Sequence, residues 1–413
     1  MELQPLTDFQ CKSCLSRRGT LVLNLGLQPL ANNLLNESDL DKPEPKFPLR
    51  FAVCNNCWLM QIVDLVPPVK LFTEYLYFSS FSTTMLEHAR KASERYIKEF
   101  NLNNKSLVIE IASNDGYLLK NFVAAKIPCI GIEPARNVAD VAIKNGVPTI
   151  VEFFNESLAK KLLAEGKQAD IILGNNVFAH VPDINGFVES LRIILKPGGS
   201  AILEFPYGFD MLEKNEFDTI YHEHVFYFTL SSLIPVFASH GLQIYDVERI
   251  PIHGGSLRLF VTQPRSKEIC PSVNALVKEE NKKGVNTLEP YQKFSNRVHK
   301  IKKELRSFID HIKSDGKRIA AYGASAKGST LLNFVGIGKE DIEFIADRSV
   351  YKQGKLSPGT HIPIVPPEML LKRQPDYTLL LTWNFADEIL EQQSEYRKRG
   401  GKFIIPIPDL KIV

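Results

Sequence analysis

Four cysteines near the start of this chain constrain its fold more than any other feature. They form two tight pairs, "CKSC" (Cys11, Cys14) and "CNNC" (Cys54, Cys57). Two thiolates of one Cys-x-x-C turn can bite a single ion, and two such turns complete a tetrahedral zinc shell. A spacer of about forty residues is longer than in a compact finger, so a small β-rich insert such as "GTLVLNLG" must fold between the knuckles. The plainer reading is reduced structural cysteines or a redox pair, but neither pair precedes a helix in a βαβ pattern. Four protein thiolates leave the ion no open position, so this zinc is expected to be structural. Cys129 and Cys270 stand alone, as core or incidental residues.

Beyond the second knuckle the pattern changes. After a Ser/Thr/Tyr-rich segment suited to covering a pocket, Met85, Leu86, Ala89, Ala92, Tyr96, Ile97 and Phe100 fall at helical spacing. Strands and helices then alternate: "KSLVIEIAS", "DGYLLKNFVAA", "CIGIEPA", "RNVADVAIKNG", "ADIILGNNVFAHV", "INGFVESLRIILKPGGS", "SAILEFPY". Such alternation predicts a parallel doubly wound sheet with its ligand at the carboxyl ends of the strands. A charged helical stretch follows Arg265. A second α/β unit closes the chain with "KRIAAYGAS", "AKGSTLLNFV", "IEFIADR", "YTLLLTWNF" and "KFIIPIP". The expected fold class is α/β in four parts. A β-rich zinc-binding module (1–66) precedes a central Rossmann-like sheet with a lid helix (67–265). A helical connection (266–313) leads to a smaller Rossmann-like substrate-binding domain (314–413).

The first βα turn, "EIASNDGYLL", keeps an acidic residue, Glu110, and a Ser-Asn-Asp run, with Gly116 its one glycine. A dinucleotide site needs several glycines for close approach to a pyrophosphate. This turn instead suits a ligand with a cationic amino-acid end and no phosphate. Glu133, closing the second strand in "GIEP", lies where a carboxylate grips ribose hydroxyls. Ribose without pyrophosphate suggests S-adenosylmethionine. The expected lining is Glu110, Ala112, Asn114, Gly116, Tyr117, Leu118, Glu133, Asn175 and Asn176. Taken singly, Glu133 is also a plain strand-end carboxylate, and Asn114 and Asp115 plain helix caps.

Charge narrows the partners. A net charge of +3 on 413 residues gives no basic stripe for nucleic acid. The lysine-rich region Lys278 to Lys317 alternates with glutamates, as a solvated helical face does. "MELQPLTDFQ" lacks the marks of a signal peptide, and no apolar run reaches bilayer length, so a cytoplasmic protein without membrane partners is expected.

From end to end the chain resembles bacterial nucleotide-sugar C-methyltransferases, which place a branch methyl on C-3 of a 4-keto deoxysugar, as in tetronitrose- and mycarose-type pathways. The resemblance rests on the four-cysteine module, "YLYFSSFSTTMLEH", "EIASNDGYLL", "GIEPA", "NNVFAHVPD", "YHEHVFYF", "HGGSLR", "YGASAKGSTLLN" and "TWNF". It implies an S-adenosylmethionine-dependent enzyme with a structural zinc, acting on a nucleotide-diphosphate sugar, with thymidine diphosphate the family's usual carrier. A carbanion equivalent at C-3 requires a base, and a histidine's basicity suits that task. The resemblance implies His224 as that base, with Tyr221 and Glu223 orienting groups or contacting the sugar. It implies His180 on the methyl-donor and enolate side and Tyr77 as the lid tyrosine, ahead of Tyr75. Ser80, Arg258, Tyr322, Lys327 and Asn333 are expected sugar-nucleotide contacts. Each has a bland counterpart: a satisfied surface histidine, a core aromatic, a hairpin turn at "HGGSLR", and helix–strand packing for the glycines of "YGASAKG".

Rival readings are a sugar O-methyltransferase, a zinc-ribbon nucleic-acid methyltransferase, a NAD-linked oxidoreductase and a non-catalytic sugar-nucleotide sensor. "NNVFAH" lacks the N-P-P-Y pattern of amino-methylating enzymes, a full G-x-G-x-x-G is absent, and the "YHEH" cluster argues against an idle sensor. A monomer is expected.

Overall fold

The computed structural model describes residues 3–72, 78–81, 83–252 and 254–413. Its backbone is organised by three sheets. The first is antiparallel, in the order Gln4–Leu6, Gly19–Pro29, Lys46–Cys54, Met60–Ile62 and Phe226–Tyr227. Its inner face is built from residues such as Leu23, Leu49 and Phe51, with Phe9 laid over Gly19. A Cβ at Gly19 would lie 2.3 Å from the Phe9 ring, so only glycine lets the ring close this small core. The fifth strand arrives from more than 150 residues downstream, from the segment that carries Tyr221–His224.

The second sheet has seven strands in the order Gln243–Ile250, Ser256–Thr262, Leu195–Pro206, Ala169–Asn175, Val108–Ile111, Cys129–Ile132 and Thr149–Ile150. The last five are parallel, and Ser256–Thr262 runs antiparallel to both its neighbours. Val108–Ile111 is buried on both faces, as expected of a central parallel strand. The chain first moves outward to Thr149–Ile150 and then returns to Ala169–Asn175, so strand order reverses beside Val108–Ile111. That reversal opens a crevice at the carboxyl ends of these two strands.

Two local expectations change. "INGFVESLRIILKPGGS" reads in sequence as a helix ended by a Pro-Gly-Gly turn, but the helix Ile184–Ile194 passes directly into Leu195–Pro206. Gly198 takes φ +79° there, and the register jumps from Ala169↔Leu195 to Ile171↔Ser200. Nor is the Lys278–Lys317 region uniformly solvated. Gly284, at φ +74°, ends one helix (Pro271–Lys283) before a second begins (Glu289–Ser314). Glu280 on the first is fully buried and accepts hydrogen bonds from Tyr207 Oη and from the backbone N–H groups of Leu230 and Ser231, 2.7 Å each.

The third sheet, Ile364–Val365, Ile345–Ala346, Ile319–Tyr322, Tyr377–Leu380, Lys402–Ile405 and Lys411–Ile412, is parallel except for its last strand. Among the described residues no helix is long and apolar enough to cross a membrane.

Candidate active site and metal centre

The four cysteines converge. The sulfurs of Cys11, Cys14, Cys54 and Cys57 all lie within 4.8 Å of one another, with Cys11–Cys57 at 3.5 Å and Cys14–Cys54 at 3.6 Å. Zinc–sulfur bonds of about 2.3 Å in a tetrahedron put sulfurs roughly 3.8 Å apart, so the cluster fits one zinc ion. The Asn56 backbone N–H and side-chain amide reach Cys54 and Cys14 Sγ at 3.4 and 3.5 Å, the kind of donor that steadies a thiolate.

At the crevice of the large sheet, Ala112, Asn114 and Gly116 all take positive φ and curl the "ASNDG" turn back on itself. Glu133 holds that turn: its two carboxylate oxygens accept from the backbone N–H groups of Asn114 and Ala135, each at 2.9 Å. One lone pair on each oxygen remains for a diol. Tyr117 and Leu118 pack into the core beneath the turn, while Asn175 and Asn176 sit half-buried at the end of the neighbouring strand. Burial, with Glu133, Asp115 and Glu204 nearby, holds the Glu110 carboxyl well above the usual carboxylate range. Glu110 Oε2, Ser113 Oγ and Asp115 Oδ1 are buried without a hydrogen-bond partner among the described residues. A buried acidic cluster with idle acceptors suits the ammonium, sulfonium and ribose hydroxyls of S-adenosylmethionine. The lid closes on the same turn, since the Ser79 and Ser80 N–H groups donate to Asn114 Oδ1 and Asp115 Oδ2 at 3.0 and 3.2 Å. Ser80 is thus held by its backbone against the Asn114–Asp115 turn. Tyr77 and Tyr75 lie outside the described residues.

The segment Tyr221–His224 is a turn, closed by His224 N–H donating to the Tyr221 carbonyl at 2.9 Å. For that reason the two histidines diverge instead of sharing a strand face. His222 is buried, donates from Nε2 to the Pro48 carbonyl at 3.0 Å and stands edge-on to Phe47. It is a structural residue. His224 Nδ1 lies 2.9 Å from the Thr219 carbonyl, which requires a proton on Nδ1 and leaves Nε2 as the basic nitrogen. Nε2 accepts from the Tyr221 hydroxyl at 2.8 Å. The His180 ring stands edge-on to the His224 ring, centroids 4.8 Å apart. Desolvation of its half-buried ring drops His180 to about 4, so it is neutral and a poor base. Burial raises Glu223 to about 7, against one donor, the Asn32 amide at 2.7 Å.

Other expected contacts are placed differently. Arg258 is buried in an ion-pair network, with Nε on Glu204 at 2.7 Å and Nη1 on Glu248 at 3.0 Å, and His88 also reaches Glu204. Its charge is used within the fold. Asn333 donates to the Ser329 and Pro358 carbonyls, tying its helix to the next loop. Ser325 caps the helix Ala326–Val335, and a Cβ at Gly328 would meet Leu381, so packing accounts for that glycine. Tyr322 is buried in the core of its sheet, with its hydroxyl unpartnered among the described residues. Lys327 lies 5.1 Å from the Trp383 ring centroid, beside two carboxyls that sequence reasoning missed. Asp218 accepts from Trp383 Nε1 at 2.7 Å, and Glu216 faces Gly254. Nothing local in "NEFDTI" marks these as buried.

Burial pushes Glu216 up to about 7, offset by Lys327 and reinforced by Asp218. Its unfolded value is near 4.5, so the folded state alone holds this proton between the two values. Stability therefore falls as pH rises from 4.5 to 7, and the penalty is complete above 7. Glu216→Gln should raise stability at pH 8 by on the order of 1–3 kcal/mol and change it little at pH 4.5, read by denaturant melts at both.

Comparison with known proteins shows what the chain is similar to. Residues 11–72 match a zinc binding domain, 85–247 a methyltransferase domain and 251–408 a C-methyltransferase C-terminal domain. The chain is 37% identical to the C-methyltransferase NovU of Streptomyces niveus over 98% of its own length and 96% of that protein's. It is 28% identical to a ubiquinone biosynthesis O-methyltransferase of Bartonella tribocorum, over 29% of this chain and 50% of that one. Among solved structures, a SAM-dependent methyltransferase of Anabaena variabilis aligns with 42% of this chain and 84% of its own, at 18% identity and a TM-score of 0.33.

Proposed function

The chain belongs to the C-methyltransferase family, and from that premise we propose that it methylates C-3 of a nucleotide-linked 4-keto deoxysugar, thymidine diphosphate being the carrier. The observation that carries this reading is the Tyr221–His224 pair, a histidine with a fixed tautomer and a basic nitrogen already engaged with a proton. Methyl transfer to carbon needs such a group, because a C–H bond next to a ketone gives up its proton only to a placed base. His224 Nε2 takes the C-3 proton, and the bonding pair moves to the C-4 oxygen as an enolate. Tyr221 turns from Nε2 to that oxygen and donates to it, a contact strengthened as charge develops. His180, neutral and weakly basic, walls the site without competing for the proton. S-adenosylmethionine supplies the electrophilic methyl, whose transfer to C-3 breaks the carbon–sulfur bond and leaves S-adenosylhomocysteine. Glu110, Asp115 and Glu133 hold its cationic end and ribose.

The test is product NMR after turnover with a carbon-labelled methyl donor and a thymidine-diphospho-4-keto-2,6-dideoxyhexose. The expected product shows a labelled methyl singlet on a quaternary C-3. A labelled O-methyl signal would replace this reading with sugar O-methylation.

A further inference from the structure

The turn that carries His224 is held largely by the first sheet and its loops. Phe226–Tyr227 pairs with Met60–Ile62, His222 is fixed by the Pro48 carbonyl, and Glu223 meets Asn32. All three anchors belong to the zinc module. Asn32 is the most informative of them, because it touches a titratable side chain of the turn. Its own position is tied down on the far side: Leu35 and Leu356 exchange two backbone hydrogen bonds, at 3.0 and 2.8 Å, and Lys355 reaches Asn36 at 3.1 Å. The loop that carries Asn32 thus contacts the Glu223 carboxyl at one point and the 355–356 segment three to four residues further on.

We propose that Asn32 is a positioning residue of the active site, whose side-chain amide turns Glu223 Oε1 away and leaves Oε2 to meet the substrate. This rests on the reading of Tyr221–His224 as the proton-handling turn. Glu223 is 5% exposed, and no other described group donates to its side chain. An amide is the fitting partner, since it donates at every pH and carries no charge that would neutralise the acid. The titratable neighbours are His222 and His224 in the chain and His180, which donates to the Glu223 backbone; among the described residues no charged side chain acts on this carboxyl.

The test needs no sugar, so it can fail separately from the proposed reaction. The Glu223 carboxyl is followed by carbon NMR in protein labelled at glutamate Cδ, its signal identified by its loss in Glu223→Gln. In Asn32→Ala the titration midpoint should rise by roughly one pH unit, the worth of one hydrogen bond to a charged acceptor. The direction follows from the donor's preference for the ionised form. Zinc content should stay at one per chain. An unmoved midpoint would overturn the proposal, and so would loss of zinc, which would make Asn32 a structural residue of the metal module. A moved midpoint without the C-3 product would keep the positioning role and reject the proposed substrate.

Discussion

Replacing Cys54 by serine should strip the chain of zinc and abolish methyl transfer, while the methyl-donor turn keeps its fold. The first half follows from the cluster, in which four thiolates are complete as a shell and three are not. A module this small has a limited core, and a structural zinc supplies folding free energy of roughly 10–16 kcal/mol in isolated peptides. The second half follows from what the module touches. Met60–Ile62 carries the pairing strand Phe226–Tyr227, and Ile62 N–H donates to the Val225 carbonyl at 2.9 Å. When those strands part, the backbone that sets Tyr221, Glu223 and His224 loses its register. The turn around Glu110 and Asp115 is anchored instead by Glu133 and the lid serines. Metal analysis, calorimetric titration with S-adenosylhomocysteine and an activity assay separate the two. Zinc-free Cys54→Ser with full turnover would show that the module does not hold the catalytic turn.

Much of this arrangement could be read from sequence, and the remainder has a common physical cause. The cysteine pairs announce their metal because ligand spacing is local. The strand–helix alternation is equally local, since a four-residue run such as Val108–Ile111 carries its burial in its own composition. The two-residue strands Thr149–Ile150 and Ile364–Val365 escaped notice because a strand so short has no periodicity. Pairings across the chain were out of reach altogether. Asn32 and Glu223 are 191 residues apart, and Asp218 and Trp383 are 165. On a strand His222 and His224 would share a face, and the turn at Tyr221 instead sends His222 to the Pro48 carbonyl and His224 to Thr219 and Tyr221. Arg258 is an expected sugar-nucleotide contact in sequence, yet as a buried arginine beside Glu204 and Glu248 it answers to charges already in the fold.

His224→Ala should lower kcat/KM by on the order of 10²–10⁴-fold, the usual worth of a placed general base, and leave zinc and donor binding intact. The assay that isolates the step uses heavy water and no methyl donor. If His224 removes the C-3 proton, the unmodified enzyme exchanges that hydrogen for deuterium, and His224→Ala does not. Tyr221→Phe should exchange at a reduced rate, because the phenol steadies the enolate without taking the proton. His180 is a poor substitute, because desolvation makes it too weak a base. Undiminished exchange in His224→Ala would move the base elsewhere, with Glu223 the next carboxyl in reach of the turn. The distinction matters for the fold as well. A histidine base needs only the Nδ1 contact to the Thr219 carbonyl to be ready, whereas a Glu223 base would depend on the Asn32 contact and hence on the zinc module for its ionisation.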